Sequence, residues 1–296
     1  MVGSEAPYIE RVPLGPLTWF KIGGLADLLA RPRTPDELAD LLKRSNDEGV
    51  PVRVIGGGSN VLVADTGFRG TVVALTAPPF KSLARTGDDA VQCGAGGKLG
   101  RLANALADWG LKGGEGLAGI PGTVGGALRT NSGTSAGEIG SIVKRVWALD
   151  RDGSPVTLSG PECEFGYRQS ALGDLVILGA ELLTSHGDVS RIRAAMKELR
   201  DHRAKTQPKG VRSAGCVFKN PEGTSAGKLL DELGVKEMRK GEARVSPMHA
   251  NFIEAGPGAK AADVVWLIDE MKRVAFEQRG VTLELQLELW GFDDAE

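Results

Sequence analysis

Glycine is the residue that most constrains what this chain can fold into. The chain has 42 glycines among 296 residues, about twice the share of roughly 7% that is usual in proteins. They are clustered, with seven between Gly113 and Gly126 and three in a row at positions 56–58. Because glycine adopts positive φ and lets the backbone lie close to a flat or charged ligand, both clusters are candidate binding loops.

Charge and cysteine content narrow the possible functions. Lys and Arg number 36 against 38 Asp and Glu, a net charge of −2, so a surface for nucleic acid or membrane is not expected. The N-terminal segment 1–16 lacks the pattern of a signal peptide. Three widely spaced cysteines, Cys93, Cys163 and Cys216, indicate a reduced, cytoplasmic protein without disulfides. Only three histidines occur, and a His-rich metal site is therefore excluded.

The order of the predicted elements indicates an α+β protein. Residues 34–49 carry helix signals at both ends, with Thr34 as cap and Gly49 as terminator. Short β-branched strands follow, a second helix is predicted over 98–113, and a long polar helix ends near Lys205. We expect three domains, residues 1–76, 77–204 and 205–296.

The first glycine cluster stands in VIGGGSNVLV, residues 54–63. Consecutive glycines after a strand can direct several N–H groups at one anion, and Ser59 and Asn60 add side-chain donors. The stretch matches neither the Walker nor the Rossmann pattern. A phosphate-binding loop is the functional interpretation, and a tight β-turn is the alternative.

The second cluster, GGEGLAGIPGTVGGA, covers residues 113–127. A flexible linker would lack the stiff residues Ile120, Pro121 and Val124, so we expect an ordered loop. Thr123 offers a hydroxyl beside the glycines. The pattern favours a cofactor-binding loop over a purely structural one.

Two further stretches carry reactive side chains. In FGYRQSAL, Arg168 is either a solvated arginine or a guanidinium aimed at a carboxylate or a developing oxyanion. In SAGCVFKNP, Cys216 is either a small buried hydrophobe or a thiol held against a ligand beside Lys219 and Asn220. Thiols are mostly protonated at neutral pH, so a cysteine at this place could deliver a proton.

The C-terminal stretch GVTLELQLELWG, residues 280–291, alternates polar and apolar residues. As one continuous strand it would place Glu284, Gln286 and Glu288 on a single face. A solvated polar face opposite four leucines is the alternative to a functional role.

Taken together and in order, these motifs resemble the UDP-N-acetylenolpyruvoylglucosamine reductases, also called UDP-N-acetylmuramate dehydrogenases. The resemblance covers nearly the whole chain. One such motif alone would be weak evidence for the family, but several occur here in the same order. YRQSALGDLVILGAELL leaves no room for an insertion that one subgroup carries, so the chain resembles the shorter, type II-like subgroup. The segments that carry the resemblance are TWFKIGGLAD, GGGSNVLV, GIPGTVGGA, YRQS, SAGCVFKNP, ARVSPMHANFI and the terminal strand.

The resemblance implies a two-part flavin-binding unit of the vanillyl-alcohol-oxidase (PCMH) type and a small C-terminal α+β substrate domain. It implies noncovalent FAD, NADPH as co-substrate, and reduction of UDP-GlcNAc enolpyruvate to UDP-N-acetylmuramate. That reaction belongs to peptidoglycan synthesis, and so to cell wall biogenesis, cell shape and cell division. The implied partners are these small molecules, not nucleic acid or membrane, and the implied form is a cytoplasmic monomer.

The resemblance also assigns roles to residues of this chain. It places Arg168, Cys216 and Gln286 at catalytic positions. It places the cofactor against Gly56, Gly57, Gly58, Ser59, Asn60, Val61, Leu62, Gly119, Ile120, Pro121, Gly122, Thr123, Gly125, Gly126, Ala127 and Asn131. It places the substrate against Tyr167, Lys205, Lys219, Asn220 and His249.

The chain departs from the family pattern at two of these positions. Cys216 stands where the family usually has a serine proton donor, and cysteine remains a proton donor. Gln286 aligns with a family carboxylate, and an amide carries neither its charge nor its acid proton. Two alternatives follow: a catalytically weakened flavin- or UDP-sugar-binding homologue with a regulatory role, and a flavin oxidase of the same superfamily.

Overall fold

The computed structural model describes residues 8–292 of the chain. Residues 1–7, on which part of the expectation about a signal peptide rests, lie outside the described residues. The helices are α1 (Pro35–Asp47), α2 (Leu99–Asp108), α3 (Val124–Arg129), α4 (Val189–Thr206), α5 (Ala226–Glu232) and α6 (Ala261–Arg279). The strands of the first half are β1 (Tyr8–Pro13), β2 (Leu25–Ala30), β3 (Val52–Val54), β4 (Val61–Val63), β5 (Phe68–Val73), β6 (Leu83–Arg85), β7 (Ala90–Gly94), β8 (Leu111–Lys112), β9 (Gly133–Thr134) and β10 (Gly137–Glu138). Those of the second half are β11 (Val143–Leu149), β12 (Pro155–Ser159), β13 (Val176–Leu183), β14 (Ser185–His186), β15 (Arg239–Lys240), β16 (Ala243–Val245), β17 (Ile253–Ala255) and β18 (Glu288–Trp290).

Local signals account for the first two helices. The Thr34 hydroxyl accepts a hydrogen bond from the Glu37 N–H at 3.1 Å, which caps α1 as its sequence predicts. The second helix is shorter than the predicted 98–113. It ends at Asp108 because Gly110, at φ +68°, turns the chain away from the helix.

The chain forms two compact units, each made of separate segments. Unit 1 contains the described residues up to Glu10 together with Leu28–Gly57 and Gly70–Arg203, and unit 2 contains Arg11–Asp27, Gly58–Arg69 and the described residues from Ala204 onward. The division into three domains at 76 and 204 stays a prediction. Between Tyr8 and Phe292, no helix is both long and apolar enough to cross a membrane.

Unit 1 is built on a five-stranded antiparallel sheet with the order β12-β11-β13-β7-β6. Leu102 and Leu106 of α2 are buried in the same core as Val91 and Cys93 of β7. Each such leucine contributes about 1.5–3 kcal/mol by leaving water. In the same unit β3, one of the predicted strands that follow α1, pairs in parallel with β5.

Unit 2 is built on the three-stranded sheet β15-β16-β17 and on α6. Leu267, Ile268 and Met271 of α6 are buried in its core with Val245 and Ile253 of the sheet. A separate two-stranded pair joins β18 to β4 in parallel. The last strand of the chain is therefore paired with a strand from its first quarter.

The C-terminal strand is much shorter than its alternating sequence predicts. Only residues 288–290 form regular strand, and the buried side chains are Leu283, Leu287 and Trp290 rather than every second residue. The N–H groups of Gln286 and Leu287 both donate to the carbonyl of Val217, at 2.8 and 3.3 Å. Two successive donors on one carbonyl form a β-bulge, which interrupts the alternation of side chains.

The cysteines differ in reactivity because of where the fold places them. Cys93 and Cys163 belong to the core of unit 1, and burial raises their pKa values to about 12 and about 11. At pH 8 roughly one such thiol in 10³ or fewer is a thiolate, the form that reacts with alkylating agents. Cys216 is half-buried and belongs to neither core.

We predict that iodoacetamide at pH 8 modifies Cys216 in the native protein before either of the other two cysteines. All three should react once the protein is unfolded in guanidinium chloride. Peptide mass spectrometry over a time course measures the three rates. Equal native rates would show that Cys93 and Cys163 are not held in a closed core.

Candidate active site

The predicted site residues fall in both units, and each unit is described by itself. Unit 1 contains Gly56, Gly57, Gly119, Ile120, Pro121, Gly122, Thr123, Gly125, Gly126, Ala127, Asn131, Tyr167 and Arg168. Unit 2 contains Gly58, Ser59, Asn60, Val61, Leu62, Lys205, Cys216, Lys219, Asn220, His249 and Gln286.

The two predicted glycine loops meet in unit 1. A β-carbon added at Gly57 would lie 2.9 Å from the Gly122 Cα, and one added at Gly56 would lie 2.5 Å from the Thr123 Oγ1. Both distances are too short for real side chains, so glycine is required where the loops touch. Gly56 and Gly57 are nevertheless exposed on their other side. The loops thus present bare backbone to solvent, which fits a flat, phosphate-bearing cofactor.

The second loop is held in a fixed conformation, as its stiff residues predict. Its Gly122 carbonyl accepts the Leu99 N–H at 3.1 Å, and its Gly125 N–H donates to the Ala95 carbonyl at 2.8 Å. Gly119 is exposed at φ +76°, a backbone conformation that disfavours side chains. An ordered glycine loop loses little further entropy when a ligand binds.

In unit 2 the segment after Gly58 is tied to the C-terminal strand. Gly58 has φ +62°, and a β-carbon there would lie 2.1 Å from the Leu17 carbonyl oxygen. The Asn60 amide donates to the Gln286 carbonyl at 2.9 Å, while Val61 and Leu62 are buried in β4. Any contact of Val61 or Leu62 with a cofactor would therefore be through backbone atoms.

Arg168 stands at the tip of a tight turn in unit 1, closed by mutual backbone hydrogen bonds between Gly166 and Gln169. Its φ of +56° is unusual for a residue with a side chain and costs about 1–3 kcal/mol. Its guanidinium lies 5.1 Å from the centre of the exposed Tyr167 ring and is 20% exposed. A partly exposed arginine on a strained turn is typical of a functional position rather than a solvated surface residue.

Three acceptors hold the Arg168 guanidinium. Nη1 donates to the Asn131 carbonyl at 3.3 Å and to Glu138 Oε1 at 3.1 Å, and Nη2 donates to the Gly133 carbonyl at 2.7 Å. Sequence reasoning missed Glu138, a lone acid in a glycine-rich hairpin. The one available signal for Glu138 is indirect: a partly buried arginine needs an acidic partner.

The Asn131 side chain is buried and its hydrogen bonds are made inside unit 1. Its Nδ2 donates to Glu138 Oε2 at 2.8 Å and to the Gly166 carbonyl at 2.9 Å, and its Oδ1 accepts from Gly140 N–H at 2.9 Å. The predicted cofactor contact of Asn131 stays a prediction. The observed role of its amide is to connect the Arg168 turn to the glycine-rich hairpin.

Cys216 lies in unit 2 on an extended segment whose backbone is held on both sides. Its backbone forms an isolated antiparallel β-bridge with Phe252. The buried Asn251 side chain binds both the backbone N–H and the carbonyl of Phe218, each at 2.9 Å. Asn251 lies in the motif ARVSPMHANFI, and no role for it was predicted from the sequence. The half-buried thiol is thus carried by a rigid backbone and is not core filling.

Lys219 and Asn220, both predicted to bind substrate, also make bonds within the protein. The Lys219 ammonium forms an ion pair with the Glu284 carboxylate. The backbone N–H of Lys219 also donates to the backbone carbonyl of Glu284 at 2.9 Å. Asn220 Oδ1 accepts from Ala226 N–H at 3.0 Å, at the start of α5. Lys205 is exposed near the end of α4.

His249 is a neutral donor rather than a cation. Burial, with a smaller contribution from Lys236, lowers the pKa of its imidazole. Nδ1 accepts the Asn251 N–H at 3.2 Å, which leaves the proton on Nε2. The ring is tilted against Phe252 with 4.8 Å between centres. An interaction of His249 with a diphosphate or a uracil would be a hydrogen bond from Nε2.

Gln286 is half-buried and lies next to the segment that carries Cys216. At the bulge, its backbone N–H donates to the Val217 carbonyl. The neighbouring carboxylates have other partners. Glu284 pairs with Lys219, and Glu288 Oε2 accepts from the Trp290 indole N–H at 3.2 Å.

Two family models match the chain, one in its N-terminal part and one in its C-terminal part. The C-terminal domain of UDP-N-acetylenolpyruvoylglucosamine reductase matches residues 207–290, and an FAD binding domain matches residues 26–159. The fold class expected from the sequence is confirmed by these matches and by the solved structure described next.

The chain is similar along almost its whole length to curated proteins and to a solved structure. It is 39% identical to the UDP-N-acetylenolpyruvoylglucosamine reductase of Carboxydothermus hydrogenoformans over 97% of this chain and 95% of that one. It is 40% identical to that of Moorella thermoacetica over 98% and 95%. The crystal structure of the Thermus caldophilus enzyme superposes with a TM-score of 0.83 at 39% identity, over 95% of this chain and 98% of that one.

We predict that Gly57→Val yields protein that lacks FAD absorbance, because the new side chain must push the two glycine loops apart. The measurement is the amount of flavin released per mole of protein on denaturation. Gly100→Ala is the matched control, since a β-carbon at this helical glycine meets nothing within 4 Å. It should keep its flavin and gain about 0.5–1 kcal/mol of stability. A Gly57→Val protein with full flavin would remove the loops from the cofactor site.

Proposed function

The chain belongs to the UDP-N-acetylenolpyruvoylglucosamine reductase family, and from this premise we propose that Arg168, Cys216 and Gln286 act on the enolpyruvyl group of UDP-GlcNAc enolpyruvate. The enzyme is a flavin-dependent oxidoreductase of peptidoglycan synthesis that uses FAD and NADPH and forms UDP-N-acetylmuramate. The expectations about family, enzyme class and cofactor are confirmed by the relatives and by the FAD-binding family model. When bound, FAD supplies the hydride-transfer chemistry between NADPH and the enolpyruvyl group.

The observation that carries the proposal is the environment of Arg168. Reduction of the enolpyruvyl group shifts negative charge onto the substrate carboxylate, and a fixed cation there lowers the barrier. An arginine has five N–H donors. Within residues 8–292, the Arg168 side chain makes two hydrogen bonds from Nη1 and one from Nη2. The Nε–H and the second Nη2 N–H form the edge that binds a carboxylate with two parallel hydrogen bonds.

Cys216 is proposed as the proton donor to the carbon next to that carboxylate. Its segment is fixed by Asn251 and by the bridge to Phe252, so the thiol position is set before substrate binds. A positioned acid contributes about 10²–10⁴-fold to rate. Thiols and hydroxyls can both fill this role, which accounts for cysteine at a position where the family usually has serine.

The glycine loops are proposed to hold FAD through backbone groups, with Ser59 and Thr123 adding hydroxyls. For the UDP-sugar we propose Tyr167, Lys205 and the Nε2–H of His249 as direct contacts. Lys219 and Asn220 support this surface through Glu284 and α5.

The cellular setting is also a proposal. We place the enzyme in the cytoplasm because its three cysteines are free thiols and because its reaction consumes NADPH and a UDP-sugar. We keep the monomer as a proposal from the family resemblance and the absence of nucleic-acid partners as a proposal from the net charge. Size-exclusion chromatography with light scattering measures the oligomeric state directly.

Stopped-flow absorbance at the flavin band tests the function and separates it from the two alternatives. NADPH should bleach the band, and UDP-GlcNAc enolpyruvate should restore it without oxygen. A weakened regulatory homologue, which the relatives do not favour, would bind without restoring it. In a flavin oxidase, oxygen alone would restore the flavin band.

The same experiment tests Cys216. Cys216→Ser should keep most of the activity, because the hydroxyl is also a donor. Cys216→Ala should leave reduction by NADPH intact and slow the substrate-dependent return of the flavin band by about 10²-fold or more. Equal rates in the two variants would show that Cys216 does not donate the proton.

For Gln286 we predict that the site works with an amide. Gln286→Glu should change the substrate-dependent step by no more than about 3-fold, whereas Gln286→Leu, which removes the hydrogen bond, should slow it by about 10-fold or more. Glu288→Gln is the control, because its carboxylate binds the Trp290 indole. Glu284→Gln tests the alignment together with the support that Glu284 gives to Lys219. A loss of activity in Glu288→Gln alone would move the substrate contact to Glu288.

A further inference from the structure

Glu138 lies in the β9–β10 hairpin, which supplies two of the three hydrogen-bond acceptors that Arg168 has in the described residues. β9 and β10 pair so that Glu138 stands opposite Gly133. A β-carbon at Gly133 would lie 2.4 Å from the Glu138 Cα, so a residue with a side chain would force the strands apart. The close pairing brings the Gly133 carbonyl and the Glu138 carboxylate to the same guanidinium.

The Glu138 carboxylate uses its two oxygens for two different donors. Oε1 accepts from Arg168 Nη1 and Oε2 accepts from Asn131 Nδ2. Asn131 in turn donates to the carbonyl of Gly166, the residue that starts the Arg168 turn. Glu138 therefore fixes Arg168 twice, directly at the guanidinium and indirectly at the backbone that carries it.

The arrangement restrains one end of the guanidinium. All three acceptors bind Nη1 or Nη2, while the Nε–H has no acceptor in residues 8–292 and Nη2, with two N–H groups, has one acceptor there. A guanidinium is planar and rigid. Fixing its Nη end therefore also fixes the direction in which the remaining two-donor edge points.

We propose that Glu138 is a positioning residue for the reduction, which orients the Arg168 guanidinium so that its Nε/Nη2 edge receives the substrate carboxylate. The inference rests on the proposed function, since it needs that carboxylate to bind Arg168. It goes beyond that function by giving a catalytic consequence to a side chain that does not itself touch the substrate.

A buried glutamate elsewhere in unit 1, Glu181, provides the comparison with a purely structural ion pair. Glu181 in β13 binds both Lys144, at 3.3 Å, and Arg145 from the neighbouring strand. The Glu181 side chain is 10% exposed and has two cationic partners, whereas that of Glu138 is 33% exposed and has one cationic partner and one amide partner. Glu181 is part of the sheet, and its cationic partners are not proposed to bind substrate.

The test is Glu138→Gln, which keeps the shape of the side chain. In a glutamine one of the two oxygens becomes an NH₂ group, which cannot accept, so either Arg168 or Asn131 loses the acceptor it now has. We expect the substrate-dependent return of the flavin band to slow by about 10- to 100-fold, the usual cost of a small misplacement of a reacting group. FAD content, reduction by NADPH and the melting temperature should stay close to those of the wild type. Binding of UDP-N-acetylmuramate, measured by calorimetry, should weaken.

Glu181→Gln is the matched control and should leave the substrate-dependent step unchanged, whatever it does to the melting temperature. A double-mutant cycle then tests whether Glu138 acts through Arg168. In an Arg168→Ala background, Glu138→Gln should slow the step by no more than about 2-fold.

A full second loss in the Arg168→Ala background would overturn the positioning role, and so would equal slowing of the NADPH step or loss of FAD in the Glu138→Gln variant. Wild-type rates in Glu138→Gln would overturn it as well. If the wild-type enzyme itself is not reoxidised by UDP-GlcNAc enolpyruvate, the proposed function fails and this inference fails with it.

Discussion

The unit 1 site depends on two stretches of backbone that touch where neither has a side chain. At Gly57 and Gly122 a single β-carbon would come within 2.9 Å of the opposite chain. The second of these stretches leads directly into α3, and the end of α3 delivers Asn131 and the hairpin that holds Arg168. The spacing between two loops thus determines where the proposed catalytic cation lies. A site organised this way tolerates few substitutions of its glycines, even where the side chains around it vary.

The molecule acts on a highly charged substrate with little net charge of its own. Its net charge is −2, and two cations at predicted site positions, Lys219 and Arg168, are already paired with the carboxylates of Glu284 and Glu138. His249 is kept neutral by burial, which lowers its pKa. In the proposed site, recognition relies mainly on directed donors, namely backbone N–H groups, one imidazole and one edge of a guanidinium, beside the contacts proposed for Tyr167 and Lys205. Directed donors discriminate between ligands by geometry, whereas a cationic surface would attract anions in general.

Sequence alone predicted those parts of the structure that are specified locally. Thr34 and Gly49 bound α1 because caps act within one turn, and Ile120, Pro121 and Val124 correctly indicated an ordered loop. The parts that were missed depend on partners from distant segments. The bulge at Gln286 exists because of the Val217 carbonyl, and alternation within 280–291 contains no sign of it. Glu138 and Asn251 looked like ordinary loop residues because their partners, Arg168 and Phe218, lie about thirty positions away.

The pairing of β18 with β4 has a consequence for how the protein is made. Unit 2 combines residues 11–27 and 58–69 with the described residues from Ala204 onward, and its parallel strand pair closes only with Glu288–Trp290. During synthesis the first segments must wait, without their partner strand, until almost the entire chain has left the ribosome. The long segment Gly70–Arg203 of unit 1 has its sheet complete well before then. Truncation from the C-terminus therefore removes the edge that β4 needs, and exposes an unpaired apolar strand, Val61–Val63, that is prone to pairing with other chains.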